Sequence, residues 1–378
     1  VVIVAALLPA LVGCGPSGGG ASGGGAGEAP VHAVSSPRSV ALVALDDTTF
    51  AVVDGTATTD GEVRAVLRVG DFDRDVTTYE LPTPPLLFPH VWVDGGAIRV
   101  VGTACDRPQV DRLADARTPD QACDHLGGST LVQVDPSTGA SRVVATDLPA
   151  NRHGDLTVVA GPALTALVAY RPGTPPPGEL DVHLLDPVTG ETAVLGTAPG
   201  TDLFCAGPQG IVGPAASAGA LTLGPDAGQD AAIRAVVITE AGVRSVPVPP
   251  PPLGLAMPLP AGCTSDGAVA FAGEGEGSGF VALGLDADGS PVWEQVPYPA
   301  PPGEEAAAPV PAPGGVVAWV PSGDGTSFTA WQPLVLDGDR WRALDPIDSA
   351  EQPSQVVLAG GHLLSVVTTG SGTTLVRR

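Results

Sequence analysis

The feature that most constrains this chain is a hairpin signal that returns at a nearly fixed interval. Asp135-Pro136-Ser137-Thr138-Gly139 and Asp186-Pro187-Val188-Thr189-Gly190 are two copies of one turn, each preceded by an apolar run, Leu131 to Val134 and Val182 to Leu185. Proline presets its own φ, and glycine takes the positive φ that lets the chain reverse, so the motif joins two strands. Looser versions begin at Asp71, Thr239, Asp286 and Asp337, which puts successive turn starts 64, 51, 53, 47 and 51 residues apart. A second, more apolar hairpin interleaves with the first. Its turns are expected near Asp46, Gly95, Gly161, Ala215, Asp266, Gly314 and Gly360, between strands rich in Val and Ala.

Two hairpins per period of about 50 residues make a four-stranded repeat with an apolar inner pair and a more polar outer pair. No segment carries an amphipathic helical period. Such a repeat is one blade of a β-propeller. The expected fold is therefore all-β, with seven four-stranded blades over residues 31–378. The last repeat is short, because only the run from Thr373 to Arg378 follows the Gly360 hairpin. The N-terminal run at residues 32–34 is expected to close the wheel as the missing strand of the last blade.

In a propeller, loops that join blade to blade share a face with loops between the second and third strands. The sequence assigns residues 83–90, 103–129, 147–155, 171–179, 197–209, 247–262 and 298–310 to that face. These loops are long and Pro-rich, and loops on a rigid scaffold concentrate function. The candidate binding residues on them are His90, Arg107, His125, Arg152, His153, Arg171, Phe204 and Tyr298. The opposite face, made of short Asp/Gly turns, reads as structural. Asp71, Asp73 and Asp75 alternate as at the start of a calcium loop, although Val76 stands where that loop places glycine, and a polar hairpin tip accounts for the same residues. No cofactor is expected.

Apart from Cys14, the chain has four cysteines, an even number. Cys105 and Cys123 flank the polar insertion that lengthens the first interval, and are expected to close it. Cys205 and Cys263 each precede the inner strand of consecutive blades and are expected to staple those blades together. Neither pair has zinc-site spacing.

The chain opens on an apolar run of about a dozen residues, too short to cross a bilayer core. It ends at Leu11-Val12-Gly13-Cys14, which resembles the lipobox of bacterial lipoproteins. The resemblance implies that residues 1–13 are a signal peptide, cut so that Cys14 becomes the acylated N-terminus. Neither a basic segment nor an initiator Met precedes the run, so a few further residues upstream are expected. Residues 14–30 are rich in Gly, Ser and Ala and form a flexible tether reaching on the order of 23 Å. All seventeen basic residues are Arg and the single Asn is Asn151, a bias that points to a GC-rich, actinobacterial source. A net charge of −24 opposes nucleic acid and anionic lipid surfaces as partners. The expected protein sits on the outer face of the cytoplasmic membrane, held by acylated Cys14, and engages a protein or cell-wall glycan.

Ser322-Gly323-Asp324-Gly325-Thr326-Ser327-Phe328 resembles the Asp-box turn of sialidase-like propellers, and the turns at Asp286 and Asp337 are similar to it. In that family the motif is structural. The resemblance implies an alternative, a glycoside hydrolase with Tyr298 as the nucleophile available on a loop. No nucleophile elbow, metalloprotease helix or phosphate loop is present in the sequence. The leading expectation is a non-catalytic binding or scaffolding propeller.

Overall fold

The computed structural model describes residues 32–34, 40–57, 63–71, 76–109, 112, 116–171, 178–201, 203–215, 234–249, 259–272, 280–296, 301–302, 310–312, 314–323, 328–338, 340–369 and 372–378. Strand β1 (His32–Val34) stands apart from the strands that follow it. Blade 1 comprises β2 (Ala41–Ala44), β3 (Thr49–Ala57), β4 (Val63–Asp71) and β5 (Val76–Glu80). Blade 2 comprises β6 (Leu86–Asp94), β7 (Ala97–Cys105), β8 (Leu126–Val134) and β9 (Ser141–Leu148), with the short α1 (Pro119–Ala122) between β7 and β8. Blade 3 comprises β10 (Thr157–Ala160), β11 (Thr165–Tyr170), β12 (Glu179–Leu185) and β13 (Thr192–Pro199). Blade 4 holds β14 (Cys205–Gly207), β15 (Gly210–Ala215), β16 (Arg234–Thr239) and β17 (Gly242–Pro247). Blade 5 holds β18 (Leu259–Cys263), β19 (Val269–Ala272), β20 (Phe280–Leu285) and β21 (Pro291–Val296). Blade 6 holds β22 (Val310–Ala312), β23 (Gly315–Gly323), β24 (Phe328–Asp337) and β25 (Arg340–Ala343), with β26 (Ile347–Asp348) added onto β24. Blade 7 holds β27 (Ser354–Ala359), β28 (His362–Thr369) and β29 (Gly372–Arg377).

Each blade is an antiparallel sheet running from the axis outward in chain order, so the fold is the expected seven-bladed propeller. Inner strands β2, β6, β10, β14, β18, β22 and β27 touch in sequence, and β27 touches β2, so the ring closes. Blade 7 takes β1 as its outermost strand, with His32 opposite Leu375, Ala33 opposite Thr374 and Val34 opposite Thr373. Arg377 Nη1 also donates to the Asp71 carbonyl at 2.8 Å, tying blade 7 to blade 1.

The apolar patterning follows from this stacking. A blade in a wheel is covered on both sheet faces, so its axial strands need apolar side chains at consecutive positions rather than alternate ones. In β7 every residue from Ile98 to Cys105 is buried, whereas the outer strand β9 is largely exposed or half-buried. The core is accordingly a set of layers between blades. Val53 and Leu67 pack with Ile98 and Val132 between blades 1 and 2. Val101 and Leu131 meet Leu167 and Leu185 between blades 2 and 3. Phe50 and Val52 meet Leu364 and Leu375 where blade 7 returns to blade 1. Each such side chain contributes roughly 1.5–3 kcal/mol of burial free energy.

The aspartates of the turns are held by their own hairpins. Asp46 Oδ1 accepts from the backbone N–H of Thr48 at 2.7 Å and of Thr49 at 2.8 Å, and the first of these bonds leads in lowering its pKa to about 2. Asp135, Asp186 and Asp286 accept from backbone N–H groups two residues on in the same way.

Several boundaries differ from expectation, among them the loops expected at 197–209 and 247–262, which contain β14 and the start of β18. The inner hairpin of blade 4 turns between Gly207 and Gly210, and Ala215 ends β15 instead of marking a turn. The Pro208-Gln209 pair supplies the reversal. Residues 86–90 belong to β6 rather than to a loop, because Leu86 and Leu87 are buried and pull the strand inward. The register slips between Leu87 and His90, with Phe88 at φ 51°, so a bulge absorbs Pro89.

Candidate binding face and central channel

The 103–129 insertion is a built platform on the connector side of blade 2. Cys105 and Cys123 are disulfide-bonded, with Cα atoms 5.9 Å apart. Leu87, Ala116 and Ala122 pack around the bridge as a small separate core. The platform docks on the connector from blade 2 to blade 3, so the two classes of loop do share a face. The Asp120 N–H donates to the His153 carbonyl at 3.2 Å, and Asp120 Oδ2 lies 2.6 Å from His153 Nδ1. Thr103 Oγ1 donates to the Gly154 carbonyl.

The protonation of His153 follows from its neighbours. Arg152 Nε lies 3.0 Å from His153 Nε2, and a guanidinium can only donate. Nε2 is therefore the acceptor and Nδ1 carries the proton shared with Asp120. Burial pushes the Asp120 carboxyl up, but hydrogen bonds from Thr118 and His153 outweigh it and hold the group below its usual range. Asn151 Oδ1 shapes the connector by accepting from the N–H groups of His153 at 2.8 Å and Asp155 at 3.0 Å. Burial pushes the Asp155 carboxyl up. The array holds the imidazole between an acid and a cation and so orients the platform on the connector.

The other expected residues divide. Arg107, His125 and Arg152 are exposed on the platform and its connector. Arg171 is drawn into its own hairpin: Nε and Nη2 lie 3.1 and 2.6 Å from Asp181 Oδ1, and Nη1 lies 2.8 Å from Glu179 Oε2. Tyr298 lies outside the described residues, as do Cys14, the signal segment, the tether, Asp73 and Asp75. Asp71 ends β4. Among the described residues no group of three His, Cys, Asp or Glu side chains is placed to hold a metal.

His90 and Phe204 line the axial cavity, whereas His153 sits on the connector beneath the platform. His90 lies within β6, half-buried, with Nε2 3.1 Å from the Leu156 carbonyl. Burial pushes its imidazole pKa down. Phe204 packs where Gly213 leaves room, since a Cβ on Gly213 would come within 2.7 Å of the Phe204 ring. Cys205 and Cys263 form the expected staple, joining inner strands β14 and β18 of blades 4 and 5 with Cα atoms 5.4 Å apart.

A cavity of about 770 Å³ fills part of the channel, and all seven blades contribute to its wall. The wall includes Leu42, Val158 and Val357 and the aromatic side chains of Trp92, Phe204 and Trp319. Sequence reasoning named His90 and Phe204 as candidate binding residues but missed Trp92, Trp319, Gln352 and Gln355. The signal that would have found them is position on or beside the axial strands rather than in loops.

No protein-family model and no curated protein matches this sequence. Solved structures are similar in fold. An oligogalacturonate lyase in complex with manganese is 14% identical, with a TM-score of 0.50 and 90% of each chain covered. The β-propeller domain of the Trilobed protease from Pyrococcus furiosus is 10% identical, with a TM-score of 0.48, covering 90% of this chain and 93% of that one. The tricorn protease is 11% identical, with a TM-score of 0.47, covering 91% of this chain and 33% of that one. These neighbours are peptidase and lyase structures rather than sialidases. The likeness establishes a β-propeller.

Proposed function

We propose that this chain is a lipid-anchored, extracytoplasmic binding propeller, without catalytic activity of its own, that presents its connector face to a protein or cell-wall ligand. The observation that carries the reading is the docked platform. A disulfide closes the insertion, a private core fills it, and the Asp120–His153 contact fastens it to the next connector. A loop ordered before binding loses less entropy on binding, which is what a contact surface needs. The lipobox-like tetrapeptide at Leu11 to Cys14 supports the anchor, and the following tether supports a domain held just clear of the bilayer.

The test is crosslinked affinity capture of the tagged protein from its native membranes, beside Cys14→Ala and an Arg107→Glu/Arg152→Glu double variant. The expected result is a specific partner or wall fragment recovered with the anchored protein and lost with both altered forms. Equal recovery from all three would overturn the reading. Hydrolysis of a glycan panel by the purified protein, abolished by Arg107→Ala/Arg152→Ala/Tyr298→Phe, would replace it with the hydrolase.

A further inference from the structure

The cavity wall differs in chemistry from the polar loops around its mouth. Among its described lining residues no side chain is Asp, Glu, Lys or Arg. The lining includes Phe204, Gln352 and Pro353, which lie just before inner strands β14 and β27, and none of the inner hairpin turns. The cavity runs along the channel from these connectors to Ala160, Ala206, Cys263 and Ala312 beside the inner hairpins. Beyond those residues the inner hairpins crowd together. A Cβ on Gly267 would strike the Ala206 carbonyl, and one on Gly314 would strike the Leu358 carbonyl. The cavity reaches the connector end, the face that carries the platform, at Phe204, Gln352 and Pro353.

One polar group in the wall has a fixed orientation. The Leu156 carbonyl can only accept, so the contact with His90 Nε2 places the proton on Nε2. Nδ1 of the neutral ring is then a bare acceptor in an otherwise apolar surround. Gln352 and Gln355 add polar groups near the mouth. A mostly apolar cavity of 300–1,000 Å³ with a few placed polar groups is the form that small-molecule sites take.

We infer that the channel cavity binds a neutral small molecule with an apolar body and a hydroxyl group, the hydroxyl donating to His90 Nδ1 and the body lying against Trp92, Phe204 and Trp319. An anionic ligand is disfavoured because a carboxylate would lose its hydration against walls that offer it no cation. The inference rests on the connector face being the binding face. Direct titration needs neither the anchor nor a macromolecular partner, so its failure is distinct from failure of the capture experiment.

The probes are 1-decanol, decanoate and decyl methyl ether, titrated by calorimetry and by the fluorescence of the tryptophans. Decanol is expected to bind saturably at one site. Decanoate, and the ether, which has no hydrogen to donate, are expected to bind about tenfold more weakly. His90→Phe should bring decanol down to the affinity of the ether and leave the ether unchanged. Val158→Trp and Leu42→Trp, which fill the cavity from different blades, should each weaken decanol at least tenfold while circular dichroism shows the folded wheel. If one of them does not fold, the other carries the test. Decanol that fails to saturate, decanoate that binds as tightly as decanol, or binding that survives a folded filled variant would each overturn the inference.

Discussion

His90 illustrates how a side chain acquires a property that its position in the sequence does not announce. Its folded pKa lies below the ordinary 6.5 because burial disfavours the imidazolium. As pH falls through 6.5 the unfolded chain takes up a proton that the folded chain refuses, so stability is lost on acidification from about pH 6.5 downward. Melting temperature should fall between pH 7.5 and pH 5, and His90→Phe should flatten that slope. Asp155 acts with the opposite sign, since its raised pKa lets the folded state bind the proton first at lower pH. Asp46 adds a third, acid window. Its pKa of about 2 against 3.8 means that its contribution is complete above about pH 4 and lost as pH falls through 2. The group is exposed, so the effect is small, and carboxyl chemical shifts through that range are the measurement. At this scale the sequence was only partly legible. His153 and Asp120 stand 33 residues apart and meet only because a platform folds back on a connector. Arg171 read as a binding-face residue because the carboxylates that capture it reach it only after β11 and β12 pair.

The elements explain why the hairpins were easier to read than the loops. An Asp-Pro-x-Thr-Gly turn carries its own mechanism, and the structure places it between the third and fourth strands in blades 2 and 3. The turn near Ala215 was misplaced because the inner hairpin of blade 4 already reverses at Pro208-Gln209, so that Ala215 is the last residue of β15. The inner turns make a sharper prediction. Gly314 has φ 87°, and any side chain there would strike the Leu358 carbonyl of the next blade. Gly314→Ala should destabilise the protein by about 2 kcal/mol or more in chemical denaturation, from backbone strain and steric conflict together. An alanine tolerated without loss would mean that blades 6 and 7 do not approach as described. The staple between blades 4 and 5 closes a separation of 58 residues. Its removal in Cys205→Ser/Cys263→Ser should cost about 2–4 kcal/mol, read as a lower denaturation midpoint.

For the whole molecule, closure is the decisive property. Layers between blades stabilise the wheel only if the last blade meets the first, and here that junction combines the Phe50–Leu364 core, the Arg377–Asp71 contact and the pairing of β1 with β29. The fold was legible at this scale because repetition multiplies a weak signal: each hairpin is ambiguous alone, while six turns at a near-constant interval are not. The short final repeat even announced its missing strand. Removing His32 to Val34 should leave β29 as an unpaired edge, lowering the melting temperature and promoting self-association detectable by light scattering. Ligand identity was less legible, because binding surfaces are assembled from loops that share no repeat.

The claim on which the functional reading depends is that the connector face, and not the short-turn face, is the working surface. A photo-crosslinking residue placed at Arg152 on the connector face, or at Asp288 on the opposite one, tests it in the lipidated protein on native membranes. The account predicts a discrete adduct from position 152 and none above background from position 288. An adduct from 288 alone, or equal adducts from both, would contradict it.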